Sequence, residues 1–448
     1  MVTRVWLLLA GLASWGCHAA EASHEAESEA LVLRGFHWVD AESRTLREGQ
    51  LVIEHGVVVP RVTLSRQRVL EGGGQYLMPA LWDLKASLWG NDSARDWEEL
   101  VQELSFTRSL QVQLYFGVGH VMPFGMGGFW VERELKRADA LQVQAAESHY
   151  PDKLICGTES FACDGVKTRA QAEAAVERRA RRPVPIIELS FTPPAKDPTK
   201  DPMPALTPEL LQVVLSDAKS RNLPTFVVVD DWVRAAQAVE LGASVIYGFP
   251  AGPVPSELVA QMQARGVAFA PALTGYLELD RLLGHADALR DPLLTRTVRP
   301  DVLRTFESEQ SLWSEFRPDL LLARQRRDDM LQSVARLARA GVNMIATSDA
   351  GWAPGTSQGY SSHALQNWFE RAGLDGWTRL AAATVAPAAL LGRHVGFATG
   401  DAADFVALEK NPVEHAENTR QISWVMRRGQ LVDRERLLPD LTRGDYTR

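Results

Sequence analysis

Between residues 79 and 394 the chain repeats one rhythm, a short apolar run followed by a longer amphipathic stretch, and this limits its fold more than any other feature. The runs fall at 81–84, 117–122, 154–157, 184–189, 225–229, 244–247, 267–270 and 342–347. Stretches such as 169–181, 209–221, 232–241 and 328–340 separate them and carry apolar residues at helical spacing. Alternating strands and helices argue for a parallel sheet, because each crossover helix must cover one sheet face. Eight strands over this length predict an α/β fold of the closed (β/α)8 type, the TIM-like barrel, over residues 79–394. Two long insertions interrupt the rhythm. Residues 192–208 contain six prolines and read as a loop able to cover a barrel mouth. Residues 279–328 are charged and largely helical in pattern, consistent with a cap after the seventh strand.

Both flanks have a different pattern. Leu31-Val32-Leu33, 49–59, Phe405–Leu408 and 422–429 alternate around glycine and charged residues, as half-buried strands do. Residues 30–78 and 395–437 are therefore expected to be built of short strands and turns.

Several motifs, in order over about 400 residues, carry a resemblance. Tyr76-Leu77-Met78-Pro79-Ala80-Leu81-Trp82-Asp83 opens the central region. Ala346-Thr347-Ser348-Asp349-Ala350-Gly351 reads as a strand that delivers one carboxylate to its end. Ala383-Thr384, Pro387-Ala388 and Leu390-Leu391-Gly392 follow, then Gly400-Asp401-Ala402-Ala403-Asp404-Phe405-Val406, Asn411-Pro412 and 425–429. Together they resemble the amidohydrolase superfamily, in its imidazolonepropionase-like branch. That resemblance implies one small composite β-sandwich domain from residues 30–78 and 395–437, and a barrel whose strand ends hold one or two divalent ions (Zn, Mn or Mg). The ligands would be two histidines on strand one, a carboxylated lysine or glutamate on strand four, histidines on strands five and six, and an aspartate on strand eight. Such a metal lowers the pKa of bound water to near 7.

Mapped onto this chain, the ligand set is mostly missing. Lys85 and Ser87 occupy the strand-one histidine positions, Val228 the strand-five position and Gly248 the strand-six position. Glu188 stands where the bridging carboxylate is expected, and Asp349 survives at strand eight. A catalytic zinc site typically needs about three protein ligands. Glu188, Asp349 and Asp230 could offer three oxygens, a set suited to Mg²⁺, Ca²⁺ or Mn²⁺ rather than zinc. Lys85 is the expected substitute for the metal's charge, in a Lys85–Glu188–Asp349 network; the bland alternative is a lysine that reaches out to solvent. Ser87, His120, His363 and Trp352 are the further candidates for binding at the mouth, each with ordinary packing as its rival. Trp82, Trp89 and Trp130 fall near strand ends as well.

The N-terminus has the form of an export signal. Arg4 precedes the apolar run 5–13, which is too short to span a bilayer as a helix. Ser14-Trp15-Gly16-Cys17 resembles a bacterial lipobox, which would make Cys17 a lipidation site; cleavage after His18-Ala19-Ala20 is the alternative. Residues 1–17 are thus read as signal and lipobox, and 18–29, rich in Ala, Glu and Ser, as a flexible tether. With Cys17 set aside, Cys156 and Cys163 form an even pair, either a disulfide in an oxidising periplasm or two buried thiols. A net charge of −8 gives no basic patch for nucleic acid, and a membrane contact is expected only through the lipid anchor.

Three functions fit these residues. The first is a non-hydrolytic homologue, a pseudoenzyme that needs no cofactor and binds a small molecule or a protein at the old mouth. The second is a hydrolase of amide or cyclic amide bonds that uses Asp349 as base, Glu188 as acid and Lys85 as oxyanion stabiliser. The third is an ordinary metal-dependent enzyme whose ligands lie elsewhere among His120, His149, His285 and His363.

Overall fold

The computed structural model describes residues 30–438 apart from 61–66, 89–102, 124–132, 134–135, 137–143, 151, 161–162, 183–185, 193–202, 299, 309, 311–316 and 353–354. Cys17, Trp89, Trp130 and most of the proline-rich insertion lie outside the described residues.

Five strands open the described chain: β1 (Ala30–Asp40), β2 (Thr45–Glu54), β3 (Val57–Val59), β4 (Gln67–Glu71) and β5 (Tyr76–Pro79). The central region supplies β6 (Leu81–Ala86), β7 (Val118–Pro123), β8 (Glu147–Ser148), β9 (Leu154–Cys156), β10 (Cys163–Gly165), β11 (Ile187–Ser190), β12 (Thr225–Val229), β13 (Val245–Gly248) and β14 (Ala268–Pro271). The C-terminal part adds β15 (Phe405–Leu408), β16 (Ile422–Arg427) and β17 (Gln430–Leu431).

Strands from both ends of the chain share one sheet, in the order β17-β16-β15-β5-β1-β2-β3, with β4 also paired to β1. Its seam is the antiparallel pairing of β15 with β5, which sets Phe405 opposite Pro79 and Leu408 opposite Tyr76. Alternate residues of these strands, among them Leu33, Phe36, Leu77, Phe405 and Met426, bury a core of their own.

The central strands are parallel. One sheet runs β6-β7-β8 and the other β10-β9-β11-β12-β13-β14. Residues 343–350 stitch the two together. On one side the Phe269 amide donates to the Asn343 carbonyl at 2.8 Å and the Ile345 amide to that of Phe269 at 3.0 Å. On the other, Leu84 donates to Ala346 at 3.2 Å, Asp349 to Lys85 at 2.9 Å and Ser87 to Ala350 at 2.7 Å. The run 342–347 is therefore not the regular strand that its sequence predicts. It makes only isolated bridges, because neighbouring amides are engaged elsewhere: Ala346 donates to the Ala382 carbonyl at 2.8 Å, and Ser348 to the Asp83 carboxylate at 2.9 Å. Among the described residues no ladder joins the outer ends of this strand series, β8 and β10.

Local sequence explains the crossovers. The helix Trp232–Leu241 starts on Asp231, whose carboxylate accepts the Arg234 amide at 2.7 Å, and stops at Gly242 in the left-handed region at φ 95°. The helix Pro208–Ser220 is capped by Thr207 and has proline in its first turn. β12, Thr-Phe-Val-Val-Val, is wholly buried, as a β-branched run covered on both faces should be. Cys156 and Cys163 are joined by a disulfide with 5.6 Å between Cα atoms, which ties β9 to its parallel neighbour β10. No described helix is long and apolar enough to cross a membrane.

Candidate functional site

Four ionisable side chains converge at the C-terminal ends of the parallel strands. β6 contributes Asp83 and Lys85, which are two residues apart and so share a face. β11 contributes Glu188, and the residue after Ser348 is Asp349. All four are essentially inaccessible, none more than 2% exposed. β13 adds Tyr247, whose hydroxyl donates to Asp349 Oδ1 at 2.5 Å. The Lys85 ammonium sits 4.5 Å from the centre of the Tyr247 ring and 6.0 Å from that of Phe226, the residue paired with Glu188 across β11 and β12.

The backbone at Asp349 is bent out of strand geometry. Its φ is 51°, in the left-handed region that aspartate and asparagine tolerate better than most residues. The bend releases the carboxylate from the strand plane and turns it toward Tyr247. Its Oδ2 lies against the backbone of Gly275, in the first turn of the helix Leu273–Leu282, where a Cβ would come within 2.7 Å. Asp83 is held differently. Its Oδ1 accepts the Ser348 amide at 2.9 Å and the Lys85 amide at 3.2 Å, while Oδ2 accepts the Ser348 hydroxyl, with the Ser362 hydroxyl at 3.4 Å. Neither oxygen of Glu188 has a hydrogen-bond partner among the described residues.

Burial dominates the protonation of this group. Loss of water pushes Glu188 up to about 7, partly offset by Lys85 and then Arg179. It pushes Asp349 up to about 7, against Lys85 and the Tyr247 hydrogen bond, and Asp83 up to about 6, against its four donors. Burial also lowers Lys85 to about 8, with Glu188, Asp349 and Asp83 opposing in that order. One ammonium thus stands among three carboxyl groups that cannot all ionise in so dry a place.

The metal centre that the resemblance implies does not fit these residues. Asp83, Glu188 and Asp349 do not bring three carboxylate oxygens within 4.8 Å of one another, and an ammonium, which has no lone pair to give, stands beside them. β12 and β13 present Phe226, Val228 and Tyr247 at this level and no histidine.

A different group could hold a metal. His120, Glu147 and His149 offer one donor atom each within 4.8 Å of the others. His120 Nδ1 and His149 Nε2 are 3.1 Å apart, and both rings stack on the Trp82 indole, at 4.1 and 4.9 Å. His120 Nε2 is 3.2 Å from Asp404, and His149 Nδ1 is 4.0 Å from Glu147. Trp82 pairs with His120 across β6 and β7, so this cluster gathers around Trp82. His120, a binding candidate with ordinary packing as its rival, stands here.

The remaining candidates are placed as follows. His363 is buried, with Nε2 donating to the Phe116 carbonyl at 2.9 Å and Nδ1 2.9 Å from the Thr419 hydroxyl; burial lowers it to about 4. That is a packed histidine, not a substrate-facing one. Ser87 is buried, and its carbonyl accepts from Gln358 at 2.6 Å. Trp352 follows Asp349 in its loop and is 38% exposed. Asp230 turns away to Arg326, at 3.0 Å. Sequence reasoning gave no role to Asp83 or Tyr247. Asp83 stands in an apolar frame, so a charge flanked by Trp82 and Leu84 was its available signal; a tyrosine in an apolar run gives none.

Neither a family model nor a curated protein matches this sequence. Solved structures do match its fold. Molinate hydrolase is 15% identical, with a TM-score of 0.70 over 93% of this chain and 97% of its own. Phenylurea hydrolase B is 16% identical, with a TM-score of 0.69 over 92% and 99%. An Xaa-Pro dipeptidase with methionine bound in its active site is 16% identical, with a TM-score of 0.67 over 90% and 100%. The fold is shared with these hydrolases and with a structure described as an amidohydrolase, 15% identical with a TM-score of 0.66. The likeness spans nearly the whole length of both chains, so the composite sheet and the parallel-strand region belong to one shared architecture.

Proposed function

We propose that this protein is an exported, non-hydrolytic amidohydrolase homologue of the imidazolonepropionase-like branch, in which a lysine-centred ion network has replaced the metal. The two parallel sheets are read as one (β/α)8 barrel, with the sheet from both chain ends as its composite partner domain. The observation that carries the reading is Lys85, buried at the end of β6 and coupled to Glu188 and Asp349. An ammonium at that place supplies the fixed positive charge that keeps a dry cluster of carboxyl groups folded. It does not supply a Lewis acid or an activated water. A small ligand or a protein segment would meet this end of the fold at Trp352, 38% exposed in the loop after Asp349. The signal-like N-terminus, Cys17 and the Cys156–Cys163 disulfide support a periplasmic setting with a lipid anchor.

The test is turnover. Chelator-treated protein, with and without added Zn²⁺ or Mn²⁺, is incubated with N-acyl amino acids, Xaa-Pro dipeptides, cyclic amides and carbamates. No hydrolysis in either condition is the expected result, and metal-stimulated turnover would overturn the reading.

One observation favours a second reading. Glu188 and Asp349 near 7 and Lys85 near 8 are poised to exchange protons at neutral pH, as general acids and bases are. In that reading Asp349 takes a proton from water, Glu188 returns one to the leaving nitrogen, and Lys85 stabilises the oxyanion. Metal-free turnover lost in both Lys85→Met and Asp349→Asn would select it.

A further inference from the structure

The His120–His149 pair brings two ring nitrogens face to face in a buried place. Four groups stand in a row, Asp404, His120, His149 and Glu147: His120 Nε2 is 3.2 Å from Asp404, His120 Nδ1 3.1 Å from His149 Nε2, and His149 Nδ1 4.0 Å from Glu147. The Asp404 carboxylate only accepts, so it asks His120 Nε2 for an N–H, and in the neutral ring that leaves Nδ1 as a lone pair facing His149 Nε2. Glu147 accepts from Arg393 at 2.9 Å, and one donor atom from each of His120, His149 and Glu147 lies within 4.8 Å of the others.

We propose that this cluster holds a divalent transition metal, through His120 Nδ1, His149 Nε2 and the Glu147 carboxylate. The site is built for one. Both imidazoles are buried, at 4% and 1% exposure, and their rings are fixed against Trp82, within 20° of coplanar with each other. The Asp404 carboxylate orients His120 from behind, which is the arrangement that sets the tautomer of a metal-binding histidine. At Zn–N distances of about 2.1 Å, nitrogens 3.1 Å apart subtend roughly 95° at the ion, and an opening of about 0.3 Å makes the angle tetrahedral. Two imidazoles and a carboxylate suit Zn²⁺ over Mg²⁺ or Ca²⁺. Glu147, whose side chain is 21% exposed, leaves a side open to solvent for entry and for a fourth ligand. Arg393 at 2.9 Å, Arg428 at 3.3 Å and Arg427 at 3.7 Å compete for that carboxylate, so the ion must displace part of a guanidinium shell. This site shares no ligand residue with the strand-end group and does not depend on the reading of it.

The experiment is equilibrium dialysis of tag-free, chelator-stripped protein against Zn²⁺, with bound metal measured by elemental mass spectrometry and folding checked by thermal melting. The wild type is expected to bind about one equivalent. His149→Gln and Glu147→Gln are expected to weaken binding at least tenfold, and Asp404→Asn by about 10- to 100-fold as the group behind His120. Glu188→Gln should leave the affinity unchanged. Absence of zinc in the wild type, which requires no variant to fold, would overturn the proposal. So would zinc whose affinity falls in Glu188→Gln and holds in His149→Gln.

Discussion

The amide of Asp349 donates to the carbonyl of Lys85 at 2.9 Å, so a lysine and an aspartate of opposite charge are anchored to one another through the backbone at the junction of two parallel sheets. Their side chains then meet Glu188 and Tyr247 in the buried interior. The electrostatics of that junction give measurable consequences.

Lys85→Met should alter stability in a pH-dependent way. The ammonium lowers both Glu188 and Asp349, so its removal sends them above about 7. At pH 5, with those carboxyls protonated, the variant loses only a costly buried charge and should be nearly as stable as the wild type. At pH 8 it must keep them protonated against solvent, and a loss of about 3 kcal/mol is expected, as for the breaking of a buried pair. Urea midpoints at the two pH values measure this; an equal effect at both would contradict the network.

The Glu188 and Asp349 contributions to stability should fall as pH rises from about 4 to about 7, while buried His363 contributes with the opposite sign. Glu188 and Asp349 titrate near 7 when folded, up from 4.5 and 3.8, so in that window these two groups bind more protons in the folded state than in the unfolded one. Glu188→Gln and Asp349→Asn should each flatten the slope. Asparagine also accepts the left-handed backbone at this position, which confines that change to the charge. Chemical denaturation at half-unit pH steps gives the slope.

Tyr247→Phe removes the one hydroxyl that donates to Asp349 Oδ1 in the described structure. Since that hydrogen bond favours the ionised form, Asp349 should shift further upward, and stability should fall by about 1–3 kcal/mol. Carboxyl ¹³C titration followed by NMR reads the shift, and a denaturant curve reads the loss.

Gly275→Ala gives a test of packing whose sign is informative. In an ordinary helix interior alanine exceeds glycine by up to about 1 kcal/mol. Here the added Cβ would lie 2.7 Å from Asp349 Oδ2, so the substitution should destabilise by about 1–3 kcal/mol and disturb the Asp349 titration. Thermal melting checks the sign.

The sequence exposed much of this arrangement for a physical reason. Seven of the eight apolar runs lie on strands because buried parallel strands need continuous apolar residues, and 225–229 coincides with β12 in full. The eighth, 342–347, makes only isolated bridges, because the Ala346 amide goes to the Ala382 carbonyl and the Ser348 amide just beyond it to the Asp83 carboxylate, an exchange no periodicity reveals. Lys85, Glu188 and Asp349 were legible together because charges in apolar runs stand out. Tyr247 was not, since a tyrosine in such a run reads as packing. His120 and His149 are 29 residues apart, with Glu147 beside one of them, and only the register of β7 with β8 brings them together.

The central claim is that a lysine, not a metal, holds the strand-end carboxyl groups. Crystals of the mature protein grown with Zn²⁺ and Mn²⁺, with anomalous diffraction recorded at each metal's edge, test it most directly. The account predicts no anomalous peak within bonding distance of Glu188 or Asp349, and the Lys85 ammonium seated beside them. A metal peak bridging Glu188 and Asp349, with Lys85 turned away, would contradict it.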